Sequence, residues 1–528
     1  MGTTISDALW VFALFSKCNS LPSLTMACSI LILATLSLAT AFLYWAHPGG
    51  PAWGKHRLTR GSRWAKKSIP GPKGWPVIGS MGLMTGLAHH KIAAAAERCG
   101  GKRLMAFSTG ETRAIVTCHP GVAKEILNSS DFADRPVKES AYSLMFDRAM
   151  GFAPYGVYWR TLRRVASTHM FSPKQIRAYE AQRRELASEM VSIFGSKTGG
   201  FRVRQVLRRA SLSNMMGSVF GRRYGLIGEE DSESVELKEM VDEGYHLLGI
   251  LNWADHISWL SQFDLQKIRF RCSKLVPKVN RFVTRIIDQH RADPVQTQLD
   301  FVHVLLSLQG SNKLSDPDII AVLWEMIFRG TDTVAVLMEW ILARLVRHPD
   351  VQSRVQDELD KVVGKARAVA ESDLTSLVYL TAVIKEVLRL HPPGPLLSWA
   401  RLAVQDTTVD GHHVPAGTTA MVDMWAIARD PEFWSDPDRF NPGRFLASEP
   451  EIEFSVLGSD LRLAPFGSGR RACPGKTLGL ATVSFWVATV LHEFRWVTSS
   501  CVTPDLSEVL KLSCEMAHPL MVEVQHRR

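Results

Sequence analysis

The interpretation of the whole chain depends on one segment, Phe466-Gly467-Ser468-Gly469-Arg470-Arg471-Ala472-Cys473-Pro474-Gly475. It fits the pattern F-x-x-G-x-R-x-C-x-G at all five fixed positions. A single cysteine is most often a buried structural thiol, but the four other matched positions favour a functional cysteine here. The glycines also imitate a dinucleotide-binding fingerprint, which is weak by itself. Only about 50 residues follow, too few for a doubly wound domain, so we discount that alternative.

This segment resembles the haem-binding loop of the cytochrome P-450 superfamily, the haem-thiolate monooxygenases. The resemblance implies a haem b cofactor whose iron takes the Cys473 thiolate as its axial ligand, a ligation that favours O–O cleavage. Gly469 would let the backbone turn under the sulfur, and Gly475 would let the following helix approach the porphyrin. Phe466 would keep water from the sulfur, and Arg471 would pair with a haem propionate.

A second motif, Glu386-Val387-Leu388-Arg389, lies in a predicted helix over 376–391. Its i, i+3 spacing places the carboxylate and the guanidinium on one helix face, which alone is a common surface pair. Downstream, Phe440-Asn441-Pro442-Gly443-Arg444-Phe445 resembles the P-E-R-F element of the superfamily, with Gly443 where Glu is usual. The resemblance implies a buried structural triad of Glu386, Arg389 and Arg444, in which each charge needs its partners.

A third motif, Phe328-Arg329-Gly330-Thr331-Asp332-Thr333-Val334, lies midway along the longest predicted helix. It resembles the superfamily pattern [AG]-G-x-[DE]-T-[TS], from which Arg329 and Val334 depart. A mid-helix glycine costs about 1 kcal/mol relative to alanine, so it suits a close ligand approach or a bulge. The resemblance implies that Asp332 and Thr333 relay protons to oxygen at the iron. The alternative is that Thr333 only bonds back to its own helix.

Two further segments carry candidate propionate-binding residues. Trp159-Arg160-Thr161-Leu162-Arg163 is a W-x-x-x-R element, and the resemblance implies that Trp159 and Arg163 face the propionates. Arg401, in the stretch Ser398-Trp399-Ala400-Arg401, would occupy a similar position. The substrate would lie over the distal haem, against residues 328–333, 132–158, 395–400 and 516–520.

The N-terminal region predicts a membrane anchor. Leu24–Ala46 contains no charged residue and would span roughly 35 Å as a helix, enough for a bilayer core. Lys55, Arg57, Arg60, Arg63, Lys66 and Lys67 follow it without an acid, which places the C-terminal part in the cytosol. A cleaved signal peptide is the alternative, but its apolar region would be shorter and would follow its charges. The prolines of residues 69–76 predict an extended, semi-rigid hinge.

Composition excludes several protein classes. The chain has 528 residues, of which 46% are hydrophobic and 22% charged, which is typical of a globular protein. Its net charge of +10 is partly explained by the basic residues beside the anchor, so a nucleic-acid binder is the least favoured alternative. The eight cysteines include no CxxC pair. A zinc site from Cys501, Cys514 and His518 is conceivable, but its spacing fits no familiar ligand pattern.

The fold class that follows is mainly α with a minor β portion, a cytochrome P-450 fold preceded by one transmembrane helix. The helix predicted over Asp316–Arg347 has Ser315 as its N-cap, with Pro317 in the first turn. Alternating segments over 104–108 and 114–117 predict a small sheet. We expect a lumenal segment (1–23), an anchor (24–46), a basic and Pro-rich linker (47–76) and one catalytic domain (77–528).

The hinge and the third motif resemble the plant subfamily that includes KLUH and the plastochron-type proteins. This implies hydroxylation of a fatty-acid-like substrate with O2, at the endoplasmic reticulum membrane, and a role in organ growth and seed size. Electrons would come from NADPH through a separate reductase, which basic residues such as Arg470 and Lys476 could contact. A peroxide-rearranging haem-thiolate enzyme and a non-catalytic membrane-anchored binding protein are the alternatives.

Overall fold

The computed structural model describes residues 24–47, 49–59, 68–227, 232–292, 300–397, 400–446, 454–458, 460–499 and 503–527. The first eight helices there are α1 (Leu24–Ala46), α2 (Pro51–Thr59), α3 (Ala88–Arg98), α4 (Pro120–Asn128), α5 (Glu139–Ser143), α6 (Val157–His169), α7 (Pro173–Ala178) and α8 (Glu180–Gly195). They are followed by α9 (Arg204–Phe220), α10 (Ser232–Gly249), α11 (Ile268–Ala292), α12 (Phe301–Ser307), α13 (Asp316–Arg347), α14 (Pro349–Val362), α15 (Val378–Leu390), α16 (Met424–Ile427) and α17 (Lys476–Glu493).

The strands are short and form four small sheets within the described ranges. A four-stranded sheet has the order β1 (Met105–Thr109), β2 (Thr112–Thr117), β7 (Thr419–Val422) and β4 (Arg401–Leu402), and only its β2–β7 pair is parallel. The others combine β3 (Phe201–Arg202), β11 (Met521–His526) and β8 (Phe494–Thr498); β5 (Thr407–Val409) and β6 (His412–Val414); and β9 (Glu508–Leu510) and β10 (Cys514–Met516). The predicted fold class, mainly α with a minor β portion, is confirmed.

Helix α13 crosses the core with the predicted bounds. Ser315 accepts from the backbone amide of Asp318, and Asp318 accepts in return from Ser315, so both form a capping box. Trp324 and Trp340 on this helix are fully buried, because α9, α15 and α17 cover its faces. The helix therefore serves as the rigid axis of the fold.

The N-terminal helix is exposed, whereas the segment after it packs on the sheet. No residue of the apolar stretch Cys28–Ala46 is buried, as expected of a helix that meets lipid. Trp53 of α2 is buried and donates from Nε1 to the carbonyl oxygen of Phe107 over 2.7 Å. The backbone amide of Ala106 donates to the carbonyl oxygen of Pro70, so the Pro-rich segment lies along β1. The predicted lumenal segment (1–23) and the basic residues at 60–67 lie outside the described residues.

Candidate active site

A cavity lies between α13 and the segment 465–475 that precedes α17. It is lined by Cys473, by Thr333 of α13, by Trp159 and Arg163 of α6 and by Arg401 of β4. Its apolar walls are formed by Met150, Phe171, Met215, Met326, Val334, Leu337, Leu388, Leu397, Leu478, Val483 and Leu512. The cavity thus combines one thiol, a group of cations and a largely apolar surface, the composition of a cofactor or ligand site.

The cysteine loop is held by its own backbone and by α4. The amide of Cys473 donates to the carbonyl oxygen of Phe466 over 2.9 Å. Gly469 has a φ of +69°, and a Cβ there would lie 2.0 Å from the carbonyl oxygen of Leu127. Any other residue would collide with the backbone of α4, so the glycine is required for both conformation and space. A Cβ at Gly475 would instead meet Phe171 at 3.2 Å.

The Cys473 thiol faces the cavity. Its side chain is exposed to solvent-accessible space and lines that cavity. Burial raises the pKa of Cys473, whereas a hydrogen bond from the backbone amide of Gly475 and the charges of Arg329 and Arg163 lower it. A thiolate here therefore needs a further positive charge, which a bound metal ion would supply.

Five arginines line the cavity among the described residues, whereas Glu325 is the one carboxylate in the described lining. Arg471 is held by the carbonyl oxygens of Ala133 (2.8 Å) and Ala153 (2.7 Å), and burial lowers its pKa to about 10. Arg401 donates from Nη2 to the carbonyl oxygen of Ser468, but its buried Nη1 has no hydrogen-bond partner in the described chain. Burial lowers the pKa of Arg401 to about 9.

The two α6 residues also reach this wall. Arg163 donates from Nη2 to the carbonyl oxygen of Ala472 over 2.7 Å, next to Cys473. Trp159 is buried, and its Nε1 donates to the carbonyl oxygen of Met150 over 2.9 Å. Trp159 therefore positions the 149–153 loop. The guanidinium carbon of Arg471 lies over the Trp159 ring, 4.7 Å from the ring centroid.

Sequence reasoning missed Arg135 and the pair formed by Glu325 and Arg329. Arg135 is buried in the cavity wall and donates from Nη1 to the carbonyl oxygen of Ala400 over 3.1 Å. Glu325 Oε1 lies 3.0 Å from Arg329 Nε and accepts from the amide of Gly151 over 2.7 Å. An acid and a base four residues apart on an otherwise apolar helix face could have indicated this pair.

The residues present fit a haem held through its iron and its two propionates. Burial disfavours the charged forms of Arg135, Arg401 and Arg471. Glu325 is the one carboxylate in the described wall that balances their charge. Two propionates would supply the missing negative charge, and the unpartnered Nη1 of Arg401 is a ready donor. The iron would in turn hold the Cys473 sulfur as thiolate.

The two threonines of the third motif behave differently. Thr331 is buried and donates from Oγ1 back to the carbonyl oxygen of Ile327 over 2.6 Å. Thr333 is exposed to the cavity and makes no side-chain hydrogen bond with the described residues. The back-bonding alternative considered for Thr333 thus applies to Thr331, which leaves the Thr333 hydroxyl available to a ligand.

Asp332 does not line the cavity with Thr333. It is buried, and its Oδ1 lies 3.0 Å from Nε of Arg208 on α9. Arg208 also donates from Nη2 to Glu515 Oε2 over 2.6 Å, so it bridges two acids. Burial raises the pKa of Asp332, and Arg208 opposes that rise. The carboxylate therefore sits behind the cavity wall, connected to the partly exposed guanidinium of Arg208.

Close packing of two helices, rather than a bulge in α13, explains the glycine at position 330. The helix is continuous through Gly330, and a Cβ there would lie 2.3 Å from Sδ of Met215 on α9. Ser211 of α9 also donates to the carbonyl oxygen of Gly330 over 3.2 Å. The sequence predicted a close ligand approach or a bulge at this glycine, whereas the close contact in the structure is made by α9, which brings Met215 into the cavity wall.

The predicted triad of Glu386, Arg389 and Arg444 comes together where α15 meets residues 428–444. Glu386 and Arg389 are fully buried and form a two-pronged pair with distances of 2.8 and 2.9 Å. Arg444 Nε lies 3.2 Å from Glu386 Oε1, which also accepts from the amide of Asn441. Arg444 donates to the carbonyl oxygen of Ser435 over 2.9 Å. Backbone carbonyl oxygens thus accept hydrogen bonds from Arg444, where the superfamily element would offer a further carboxylate at position 443.

The distal wall differs in part from the predicted one. Residues 329, 330 and 333 of α13 line the cavity, but Phe328 packs away from it against Tyr245, with ring centroids 4.3 Å apart. At the C-terminal end, Leu512 and Ser513 line the cavity instead of residues 516–520, where Met516 and Leu520 are buried in the core. Tyr245 of α10 also lines it, and Trp399 lies outside the described residues.

The structure gives Cys514 and His518 different acidic neighbours. Cys514 Sγ contacts Glu508 Oε2 at 3.4 Å, whereas His518 lies near Asp505 at 3.9 Å. Cys501 lies outside the described residues. Cys514 therefore has a different environment from the one considered.

Comparison with known proteins adds to this geometry. The model of the cytochrome P450 family matches residues 69–518. Cytochrome P450 78A3 of Glycine max is 65% identical over 529 residues, covering 100% of both chains. Flavonoid 3'-monooxygenase of Arabidopsis thaliana is 36% identical, covering 87% of this chain and 91% of that one. A zebrafish cytochrome P450 solved with abiraterone superimposes with a TM-score of 0.70 at 26% identity, covering 83% of this chain and 99% of its own.

Proposed function

Because the chain belongs to the cytochrome P450 family, we propose that it is a membrane-anchored monooxygenase that inserts one oxygen atom of O2 into a fatty-acid-like substrate. The observation that carries this is the Cys473 thiol in an arginine-rich cavity below the free hydroxyl of Thr333. A haem bound through a cysteine thiolate supplies O2 activation and O–O cleavage. The predicted plant subfamily is confirmed, since relatives of the 78A group are 48–65% identical.

Residues of the proximal wall orient the cofactor. Cys473 would ligate the iron, with Phe466 and Gly469 shaping the loop and Gly475 donating its amide to the sulfur. Arg401, Arg471 and Arg163 would hold the propionates. Because these guanidiniums are already fixed by backbone carbonyls, little side-chain entropy would be lost when the cofactor binds.

Residues of the distal wall handle protons. Thr333 Oγ1 would hold a proton at the cavity surface, since nothing in the described chain competes for it. Asp332 would hold and exchange a proton behind this wall, beside Arg208, whose guanidinium stays protonated and whose side chain is 34% exposed to solvent. The raised pKa of Asp332, which burial causes, makes its carboxyl a better proton carrier near neutral pH.

The cavity surface favours a lipophilic substrate. Its distal part is built from Met215, Met326, Val334, Leu337 and Leu512, which would exclude water from a hydrocarbon chain. Arg329, which is paired with Glu325, is a cation of the cavity lining and would meet a substrate carboxylate. The subfamily resemblance extends the proposal to a role in plant organ growth and seed size.

Two apolar surfaces support attachment to the endoplasmic reticulum membrane, with the catalytic domain (77–528) in the cytosol. One is the stretch Cys28–Ala46 of α1, in which no residue is buried. The other comprises the exposed Trp75, Val77, Ile78, Trp253, Trp259, Phe263 and Leu265. Its two halves adjoin, because Gly110 donates to the carbonyl oxygen of Ile78 and Glu111 donates to that of His256. Large exposed apolar surfaces of this kind mark membrane contact.

A basic face near the cysteine loop suits an acidic NADPH–cytochrome reductase. Arg160 and Arg470 are exposed and lie 5.6 and 5.7 Å from the ring centroid of Tyr155. Lys476, at the start of α17, donates to the carbonyl oxygen of Leu457. These cations lie on the outer side of the Cys473 loop, where electrons would enter.

The test is reconstitution of the full-length protein with NADPH–cytochrome reductase in liposomes, with medium- and long-chain fatty acids as substrates. We expect NADPH-dependent products that carry one added oxygen atom, labelled when 18O2 is supplied. Label from water, or turnover of a lipid peroxide without reductase, would overturn the proposal. The Cys473→Ser variant serves as the inactive reference.

A further inference from the structure

A cluster of metal-ligating side chains lies outside the cavity, where α3 meets the β9–β10 hairpin. His89 and His90 are consecutive residues of α3, Glu508 opens β9, and Cys514 opens β10. His89 Nε2 lies 3.0 Å and His90 Nε2 lies 2.5 Å from Glu508 Oε1. Cys514 Sγ lies 3.4 Å from Glu508 Oε2. Two imidazoles, a carboxylate and a thiol thus converge from parts of the chain about 420 residues apart.

The hairpin register explains why Glu508 and Cys514 share a face. Cys514 pairs with Leu510, and Met516 pairs with Glu508. Side chains two residues apart on a strand point the same way, so Cys514 emerges on the face that carries Glu508. That face is turned to α3, and His90 is kept in place by stacking on Trp425 with centroids 4.1 Å apart. The four groups are therefore positioned by secondary structure.

Burial makes this an enclosed site. His89 is 0% exposed and Cys514 is 3% exposed, while the side chain of Glu508 is 10% exposed. His90 forms the outer edge, with 39% of its side chain exposed. An ion could enter past His90, and the other three groups would remove it from water.

A bound ion would replace the hydrogen bonds that now join these groups. Each ligating imidazole would carry its proton on Nδ1 and leave Nε2 free for the ion, and the Cys514 thiol would release its proton to solvent. A divalent cation with one carboxylate and one thiolate makes a neutral centre.

The donor set selects the ion. Two imidazole nitrogens, a carboxylate oxygen and a sulfur suit zinc, whereas calcium and magnesium prefer oxygen ligands. A tetrahedral zinc with bonds of about 2.0–2.3 Å separates its ligand atoms by roughly 3.3–3.7 Å. Ligand atoms of His89, Glu508 and Cys514 lie within 4.8 Å of one another, and His90 Nε2 lies 2.5 Å from Glu508 Oε1. The side chains, His90 above all, would rearrange around the bound ion to reach that geometry.

We propose that His89, His90, Glu508 and Cys514 form a structural zinc site that fixes the β9–β10 hairpin to α3. The tip of that hairpin carries Leu512 and Ser513, which line the active-site cavity. The backbone of Cys514 is joined to the same wall, because its amide donates to the carbonyl oxygen of Pro393 over 2.9 Å. The ion would hold this part of the substrate wall in one position without touching substrate or cofactor.

The experiment measures zinc and iron in the full-length holoenzyme, purified through a tag without histidine after incubation with zinc and desalting. We expect about one zinc per iron, and zinc-edge X-ray absorption with one sulfur neighbour at about 2.3 Å. The His90→Phe variant keeps an aromatic ring against Trp425 but removes one ligand, so its zinc affinity should fall at least about 10-fold. Cys514→Ser should remove the sulfur neighbour, and Cys118→Ser is the matched buried control.

Zinc well below one per iron in the wild type would overturn the proposal. So would zinc that is retained by both ligand variants, or a zinc environment of oxygen and nitrogen alone. Should Cys514→Ser fail to incorporate haem, the half-exposed position of His90 keeps His90→Phe as the deciding variant. Zinc content is measured independently of oxygenase activity. Absence of zinc would therefore leave the proposed function unaffected, and absence of oxygenase activity would leave the zinc site unaffected.

Discussion

Arg163 donates from Nη2 to the carbonyl oxygen of Ala472 over 2.7 Å, which ties α6 to the residue that precedes Cys473. The same guanidinium lines the cavity and lowers the pKa of the Cys473 thiol by its charge. One side chain therefore fixes the loop and favours the thiolate, and under the proposed function it would also face a haem propionate. The cations that would hold the cofactor are already positioned by backbone carbonyl oxygens.

Replacing Arg401 by glutamine should weaken haem retention. Its Nη1 is buried without a hydrogen-bond partner in the described chain, so this donor is available to a propionate. Loss of a hydrogen bond to a charged group costs about 1.5–3 kcal/mol, which corresponds to roughly 10–100-fold faster haem loss. Transfer of haem to excess apomyoglobin measures this. Arg223→Gln, in an exposed ion pair with Glu185, is the control; equal rates in both variants would argue against the assigned role.

Thr333→Val should uncouple NADPH consumption from product formation. The substitution removes the one hydroxyl that Thr333 offers to the cavity, and loss of a positioned proton donor typically costs about 10²-fold or more in rate. Thr331→Val is a matched control on the same helix, because its hydroxyl is engaged with Ile327. The ratio of product to NADPH consumed is the measurement, and a similar fall in both variants would contradict a specific role of Thr333.

Glu386→Gln should destabilise the fold strongly. The change leaves the buried Arg389 with neutral partners alone, such as the carbonyl oxygens of Ala428 and Pro437, and it deprives Arg444 of its carboxylate. Removing one partner of a buried pair costs about 3–5 kcal/mol. The melting temperature and the yield of haem-containing protein measure this effect. Glu185→Gln removes an exposed carboxylate and should change neither; a melting temperature of Glu386→Gln close to the wild type would refute the structural role.

Asp423 should make stability depend on pH. Burial raises its pKa to about 8, although it accepts a hydrogen bond from the amide of Ala426. Between about pH 4 and about pH 8 the folded protein holds a proton that the unfolded chain has lost. Stability therefore falls as the pH rises through this window, by up to about 1.4 kcal/mol per pH unit from this group. In the Asp423→Asn variant the melting temperature should depend less on pH between about pH 5 and pH 8. If the melting temperature of the variant changes with pH as steeply as that of the wild type, Asp423 is ionised in the folded protein.

Short-range sequence patterns were sufficient to predict the structural features that depend on neighbouring residues. The bounds of α13 follow from Ser315, Asp318, Pro317 and Pro349, which act within one helical turn of its ends. The motif segments could likewise be found because their spacing is short and fixed. The Glu386 cluster required two motifs 58 residues apart, and it was found because the superfamily resemblance links them.

Features that depend on long-range packing could not be found in this way. Asp332 is turned to Arg208 because α9 crosses α13 there, and no local pattern encodes that crossing. Leu512 and Ser513 reach the cavity because of the β9–β10 register, which the sequence leaves undetermined. Arg135 was missed for the same reason, since a single arginine in a loop has no periodicity to mark it.

Ligation of the haem iron by Cys473 is tested by the absorption spectrum of the reduced, carbon-monoxide-bound holoprotein, recorded beside those of Cys473→Ser and Cys118→Ser. We expect a far red-shifted Soret band for the wild type and for Cys118→Ser, because the Cys473 thiolate would ligate the iron. Cys473→Ser should lose that band. A wild-type Soret band at a histidine-like position, or a red-shifted band that survives in Cys473→Ser, would contradict the assignment of Cys473 as the ligand.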